Sequence, residues 1–299
     1  MVNLHLAAQQ IRLDQFALAV SKVLADAEIP HALIKGPTTA NWLYDPPRAY
    51  SDVDMLVPRS RVDDSVTALG RAGVAHPSGG RLGEEAAHCL MMASPAGIEL
   101  DLHAALPLMS LPRSDTDDTV WDTLAGHVVD FDIDGVPVPA LDVPARCLVL
   151  ALHSVSGGLD RDRVKEDLRR ARRVATGQHW QEAEVLAERL GVIQTMHLGL
   201  SRVEEQWRVD LAPLGARLLL SDDSAAFQIQ SLRKVPFRRL PKAIWHEAFP
   251  SRGFMRRAYP DAEYVKCGLL RAHMRRLLSL GTRLPRAVIV LYRARRHHR

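Results

Sequence analysis

The chain has 299 residues, of which 47% are hydrophobic and 25% are charged, and this balance is typical of a water-soluble globular protein. No segment approaches the ~20 consecutive apolar residues of a membrane span, so we expect neither a transmembrane segment nor a signal peptide. The cysteines are few and far apart in the sequence. They predict neither a disulfide framework nor a cysteine-based zinc site, and they favour a reducing cytoplasm.

The net charge of +4 hides an uneven distribution of charge along the chain. Residues 233–299 contain 18 Lys and Arg against 3 Asp and Glu, a net charge of +15 that leaves −11 for residues 1–232. A basic segment of this kind favours an anionic partner. The candidates are a nucleic acid, an anionic membrane surface, an acidic protein and the acidic remainder of the chain itself.

In the first part of the chain, predicted helices alternate with predicted strands. Apolar residues at helical spacing predict helices over 4–28, 38–44, 58–72 and 114–125. Short apolar or alternating runs bounded by Gly, Pro or Asp-Gly predict strands at 31–34, 89–93, 98–103, 128–133 and 136–141, and one more that opens on Asp52. Residues 77–83 have the composition of a loop. This part of the chain therefore predicts a mixed sheet flanked by helices.

From Val143 onward the sequence pattern becomes helical. The predicted helices are 145–155, 161–176, 180–190 and 193–207, with a less clear pattern afterwards. We therefore predict an α+β fold with two domains. Residues 1–142 would form the sheet domain, and residues 143–299 a mainly helical domain that ends in the basic segment.

Two carboxylates stand one residue apart at the start of a predicted strand. Alternate side chains of a strand lie on one face, so Asp52 and Asp54 would share a face. Like charges this close favour a cation between them, and Mg²⁺ prefers carboxylate and phosphate oxygens. Just upstream, a short strand ends in the Lys35-Gly36 turn before a predicted helix. A strand, a glycine turn, a helix and an Asp-x-Asp strand form an arrangement suited to a nucleoside triphosphate.

Three segments in this order carry a resemblance to a known family: Leu33-Ile34-Lys35-Gly36, Arg48-x-x-Ser51-Asp52-Val53-Asp54, and Leu100-Asp101-Leu102-His103. They resemble the polymerase-β-like nucleotidyltransferase superfamily, and more closely the bacterial "uncharacterised nucleotidyltransferase" family. The resemblance implies an enzyme that uses an NTP and Mg²⁺ or Mn²⁺. Such an enzyme transfers NMP to a hydroxyl or phosphate of an unidentified small molecule, protein or RNA, and releases pyrophosphate.

The same resemblance implies roles for individual residues. Asp101 completes a metal-binding and catalytic triad with Asp52 and Asp54, although Glu99 lies on the same predicted strand face and is the alternative third carboxylate. The nucleotide or acceptor would meet Lys35, Gly36, Arg48, Ser51 and His103. Each of these has a second explanation, because Lys35 could be a solvated turn residue, Arg48 a structural ion-pair partner and His103 a hydrogen-bonded structural residue. The family also has a histidine and an aspartate at places comparable to His153 and Asp167.

Two other functions are compatible with the sequence. A non-catalytic module with this fold would bind nucleic acid or an anionic membrane surface through residues 233–299. The three acidic positions favour the enzyme, because a module without catalysis has little reason to retain all of them. A metal phosphohydrolase would draw on His88, His103, His153 and Asp101, but the chain lacks the adjacent His-Asp pair typical of helical hydrolases.

Overall fold

The computed structural model describes residues 4–78, 89–107, 109, 117–156 and 161–203, together with residues 268, 270, 271, 273–275, 277 and 278. Most of the basic segment 233–299 therefore lies outside the described residues, as does His88. Two compact units make up the chain: Met1–Pro77 with His88–Trp207, and Ser78–Ala87 with Arg208–Arg299. All elements and the site described below belong to the first unit. The predicted division at residue 142 into independently folding domains stays a prediction.

A seven-stranded mixed sheet forms the centre of this unit, in the order β3-β4-β5-β2-β1-β7-β6. The pairs β2–β5 and β1–β7 are parallel, and the remaining pairs are antiparallel. The predicted α+β fold is confirmed. The strands are β1 Ala32–Leu33, β2 Asp52–Leu56, β3 His76–Pro77, β4 Cys89–Ala93, β5 Glu99–His103, β6 Val128–Ile133 and β7 Val136–Leu141.

The helices in the described residues follow the predicted order, with shifted ends. The first ends at Asp26, before Glu28 takes a positive φ of 54°. A short strand at His76–Pro77 pairs with β4 where a loop was predicted to begin, because these two residues add an edge to the β4–β5 hairpin. The helices are α1 Leu4–Asp26, α2 Pro37–Leu43, α3 Val62–Arg71, α4 Thr119–Leu124, α5 Val143–Ser156, α6 Arg161–Val174, α7 Gly177–Arg189 and α8 Ile193–Ser201. None of the described helices has the length and apolar character needed to cross a bilayer.

The two faces of the sheet bury separate apolar cores. Val53, Met55 and Leu102 point towards α1 and α3 and belong to one core. Leu56 belongs to the other core, which includes much of α5, α7 and α8. Because side chains alternate along a strand, Asp52 and Asp54 lie on the face of Leu56. The acidic positions therefore lie on the sheet face whose core includes α5, α7 and α8, and the apolar positions between them pack on the opposite face against α1 and α3.

His31 is a buried titratable group at the start of β1. It is 5% exposed, its Nδ1 lies 2.8 Å from the carbonyl of Ile29, and its Nε2 lies 2.8 Å from the Ser21 hydroxyl of α1. With Nδ1–H donating to the carbonyl, Nε2 accepts from Ser21. Burial lowers the pKa of His31, and the hydrogen bond to Ile29 only partly opposes this shift. The neutral imidazole thus contributes to the attachment of α1 to the sheet.

We predict that acidification lowers the free energy of unfolding more in the wild type than in His31→Gln. The unfolded chain binds a proton at the ordinary pKa of 6.5, whereas the folded chain binds it only at lower pH. The stabilisation is therefore complete above the unfolded pKa and is lost as the pH falls below it. Urea denaturation at about pH 7.5 and about pH 5.5 measures the difference. Equal losses in the two proteins would contradict this role of His31.

Candidate active site

Strands β2 and β5 bring the three predicted acidic residues together. The strands are parallel, with Asp54 directly beside Asp101 and Asp52 directly beside Glu99. Residues paired in this way present their side chains on the same face. One carboxylate oxygen from each of Asp52, Asp54 and Asp101 lies within 4.8 Å of the other two. Glu99 is not part of this group of ligand atoms, so the geometry favours Asp101 over Glu99 as the third carboxylate.

The Lys35-Gly36 turn is held against β2 by a hydrogen bond and an ion pair. The Ile34 N–H donates to the Asp54 carbonyl at 3.1 Å, and the Lys35 ammonium lies 2.8 Å from Asp54 Oδ1. Gly36 has a φ of 69°, and a Cβ there would lie 3.3 Å from the carbonyl oxygen of Asp52 and 3.4 Å from the Tyr50 ring. A side chain at this position would be strained and crowded. The glycine therefore lets the turn pass directly over the start of β2.

His103 contacts the acidic group through Asp54. Its Nε2 lies 3.0 Å from Asp54 Oδ1, the same oxygen that pairs with the Lys35 ammonium. His103 and Asp54 are each only 1% exposed. The sequence left two roles open for this histidine: contact with the nucleotide or acceptor, or a structural hydrogen bond. The structure places the ring against the middle carboxylate of the group. His103 therefore fixes the orientation of Asp54.

The carboxylates differ in electrostatic environment although they are neighbours. Burial alone would raise the pKa of Asp54, but Lys35 and His103 hold it well below its usual range. Burial and the charge of Asp54 raise the pKa of Asp52, and they raise the pKa of Asp101 to about 6. Burial would lower the pKa of Lys35, yet Asp54 and Asp52 raise it. Asp54 is thus held in its ionised form, whereas burial and the Asp54 charge disfavour the ionised forms of Asp52 and Asp101.

This donor set fits a divalent cation that prefers oxygen. Asp52, Asp54 and Asp101 supply oxygens within 4.8 Å of one another, on strands whose backbones are hydrogen-bonded in register. Burial raises the pKa of Asp52 and of Asp101, and the neighbouring Asp54 charge raises both further, so a bound cation would offset the cost of ionising them. Mg²⁺ and Mn²⁺ favour such carboxylate ligands. The residues present therefore suit the metal that the sequence predicts.

Residues 3–208 match the model of the uncharacterised nucleotidyltransferase family, and this match covers more than half of the chain. The chain belongs to the uncharacterised nucleotidyltransferase family. The resemblance that the sequence motifs indicated is thereby confirmed. No curated protein matches the chain.

Two solved structures of nucleotidyltransferases or similar proteins also match this family member. One is the solution structure of the antibiotic-resistance factor ANT(2'')-Ia, with 14% identity and a TM-score of 0.34. The other is the crystal structure of an antigenic nucleotidyltransferase-like protein from Paracoccidioides brasiliensis, with 17% identity and a TM-score of 0.35. Each match covers 67% of this chain and 93% of the other chain. The family assignment rests on the sequence match alone.

Arg48 does not contact the acidic group but pairs with α6. Its Nη2 lies 2.6 Å from Asp167 Oδ2 and its Nε lies 3.0 Å from Asp167 Oδ1, a bidentate ion pair. The Tyr44 hydroxyl donates to the same Oδ1 at 2.5 Å. The ion pair thus ties the segment that leads into β2 to the helical part of the chain.

Ser51 lies beside the site, with its hydroxyl 3.3 Å from Asp52 Oδ1.

The structure adds two residues that the sequence did not single out. Tyr44 has guanidinium groups on its ring, Arg170 at 4.2 Å and Arg48 at 5.5 Å from the centroid. Cys89 on β4 lies opposite His103 on β5. In contrast, His153 belongs to none of the groups that could hold a metal ion in the described part of the chain.

We predict that Lys35→Met destabilises the metal-free protein and that Mg²⁺ restores much of the loss. The variant leaves buried carboxylates without their ammonium partner, which costs about 3 kcal/mol when a buried ion pair is broken. A divalent cation on the same oxygens replaces the lost positive charge. Denaturant unfolding with and without Mg²⁺ measures both effects.

Lys22→Met is the matched control, because Lys22 also pairs with an aspartate, Asp26, but the two side chains are 75% and 62% exposed. An exposed pair of this kind contributes about 0.5 kcal/mol, independently of Mg²⁺. If Lys35→Met were as stable as Lys22→Met, the proposed charge balance at Asp54 would be wrong.

We predict that Arg48 and Asp167 are energetically coupled. A double-mutant cycle with Arg48→Met and Asp167→Asn should give a coupling free energy of about 1–3 kcal/mol, because the two side chains are only 18% and 7% exposed. Denaturant unfolding of the four proteins gives this value. A coupling below about 0.5 kcal/mol would show that the ion pair does not hold α6 to the site.

Proposed function

We propose that this family member is a metal-dependent nucleotidyltransferase. It would move NMP from an NTP to a hydroxyl or phosphate of a small molecule, protein or RNA and release pyrophosphate. The observation that carries the proposal is the register of β2 and β5, which sets Asp54 beside Asp101 with Asp52 on the same face. The three carboxylates lie next to the Lys35-Gly36 turn, whose glycine lets the turn pass close to the backbone of Asp52.

In this proposal Asp52, Asp54 and Asp101 hold Mg²⁺ or Mn²⁺. When bound, the metal supplies positive charge for the triphosphate and for the charge that develops during transfer. The Lys35 ammonium lies 2.8 Å from Asp54 Oδ1, and from this position it could pair with a phosphate oxygen of a bound triphosphate. Gly36, Arg48, Ser51 and His103 stay predicted contacts of the nucleotide or acceptor.

The group-transfer step requires one bond to form and one to break. The acceptor oxygen bonds to the α-phosphorus of the NTP, and the bond from that phosphorus to the departing pyrophosphate breaks. When the acceptor is a hydroxyl, its proton moves to a carboxylate oxygen of Asp101. Asp101 suits this role because it lies on the strand beside the Asp52–Asp54 strand and is only partly buried, whereas Asp54 is 1% exposed.

The proposal also includes an acceptor or partner and a cellular compartment. Residues 233–299, with a net charge of +15, offer a surface for an anionic acceptor or for a nucleic acid, membrane or acidic protein partner. The widely spaced cysteines favour the cytoplasm. A non-catalytic module would use the same basic segment without any need for the carboxylates. Dependence on the metal and on the carboxylates therefore distinguishes the enzyme from the non-catalytic module.

We predict that Asp52→Asn/Asp54→Asn loses metal-dependent NTP binding, because these residues hold the metal that accompanies the triphosphate. Calorimetry with a non-hydrolysable NTP, with and without Mg²⁺, measures this loss. Equal affinity in the wild type and the double variant under both conditions would contradict the proposed site and support the non-catalytic module.

Asp101→Asn should instead lower turnover about a hundredfold, or about 3 kcal/mol of barrier, with NTP affinity nearly unchanged. Its interaction with the acceptor forms mainly in the transition state. Turnover is measured by mass spectrometry of candidate acceptors incubated with α-labelled NTPs and Mg²⁺ or Mn²⁺. Glu99→Gln is the matched control on the same strand face and should retain turnover. Loss of turnover in Glu99→Gln but not in Asp101→Asn would reassign the third carboxylate.

A further inference from the structure

A second group of potential metal ligands lies beside the acidic group. Strand β4 is antiparallel to β5, and its first residue, Cys89, pairs with His103 at the end of β5. One ligand atom each from Cys89, Asp101 and His103 lies within 4.8 Å of the other two. Asp101 is a member of both groups. The site therefore has an oxygen-rich side on β2 and a side with sulfur and nitrogen towards β4.

The chemistry of this second group differs from that of the first. Thiolate and imidazole ligands suit Zn²⁺, whereas Mg²⁺ takes oxygen ligands. Zn²⁺ bound by sulfur, nitrogen and oxygen at about 2.0–2.3 Å needs its ligand atoms roughly 3.5 Å apart. Because no two of the donor atoms lie more than 4.8 Å apart, the distance between any two of them would have to shorten by little more than about 1 Å on binding. Three protein ligands leave a fourth position for water, as in zinc sites that are open to solvent.

The backbone and the neighbouring carboxylate hold these ligands in place. Strands β4 and β5 pair over five consecutive residues, from Cys89 with His103 to Ala93 with Glu99. The His103 ring is 1% exposed and bonds to Asp54 Oδ1 through Nε2 at 3.0 Å. A carboxylate that accepts from a histidine ring fixes the ring and increases its strength as a metal ligand. His103 is thus ordered by a contact outside the group, and the strand pairing fixes the backbone of Cys89 beside it.

We propose that Cys89, Asp101 and His103 form a binding site for a soft divalent cation of the Zn²⁺ class, and that occupation of this site inhibits nucleotidyl transfer. On binding, the thiol of Cys89 releases its proton to solvent and a sulfur–metal bond forms. The inhibition rests on the proposed function, since it requires Asp101 to act on the acceptor. A carboxylate oxygen bound to Zn²⁺ is a weaker base and is drawn away from the Asp52–Asp54 side. The binding itself is independent of the proposed function.

Cobalt spectroscopy on the full chain tests the binding. Co²⁺ bound through a thiolate gives a sulfur-to-metal charge-transfer band in the near ultraviolet, and Zn²⁺ displaces it. We expect this band in the wild type, its loss in Cys89→Ala, and at least about tenfold weaker Zn²⁺ binding in that variant. Cys147→Ala is the matched control, because Cys147 is also a cysteine but lies in the apolar core of α5. It should keep the band.

A second measurement needs no variant. Zn²⁺ should slow alkylation of Cys89 in the wild type, as read by peptide mass spectrometry, whereas Mg²⁺ should not. A band that persists in Cys89→Ala, or alkylation of Cys89 at the same rate with and without Zn²⁺, would overturn the site. If Zn²⁺ binds at Cys89 but no condition yields transfer, the proposed function fails and the metal site stands. If transfer occurs and Zn²⁺ inhibits the wild type and Cys89→Ala equally, the inhibitory role fails.

Discussion

The charge on Asp54 is the constraint on which the rest of the site depends. This carboxylate is almost fully buried, so its ionised form requires nearby positive charge or hydrogen-bond donors. Lys35 from the turn after β1 and His103 from the end of β5 both contact its Oδ1. Three elements therefore converge on one oxygen. Burial and the ionised Asp54 raise the pKa of Asp52 and of Asp101, and a bound cation would offset both effects.

The fold keeps this arrangement rigid by burying the opposite face of the same strands. Val53, Met55 and Leu102 are fully or almost fully buried against α1 and α3, so β2 and β5 cannot shift register without exposing their apolar residues. On the acidic face, the Arg48–Asp167 pair connects the approach to β2 with α6. The helical part of the chain and the sheet are thus joined at the border of the site.

Much of the site could be predicted, partly from alternation along a strand and partly from the family resemblance. The shared face of Asp52 and Asp54 follows from the period of two along a strand, whereas Asp101 was expected from the family resemblance and its parallel pairing with Asp54 was not predicted. The pairing of Cys89 with His103 could not be read from the predicted hairpin, because counting outward from its loop pairs Cys89 with Leu102, one residue short of the observed partner. The Arg48–Asp167 contact had no signal in the sequence, because 119 residues separate the partners and no local pattern specifies a long-range ion pair. The helix and strand ends also differed, because tertiary contacts such as the β3–β4 pairing decide them.

The central claim is that the three carboxylates hold the metal that accompanies an NTP. A crystal structure with Mn²⁺ and a non-hydrolysable NTP, with anomalous scattering to locate the manganese, tests it most directly. The account predicts an anomalous peak within about 2.5 Å of oxygens from Asp52 and Asp54, with the α-phosphate facing Asp101. Manganese and nucleotide bound away from these residues would contradict it.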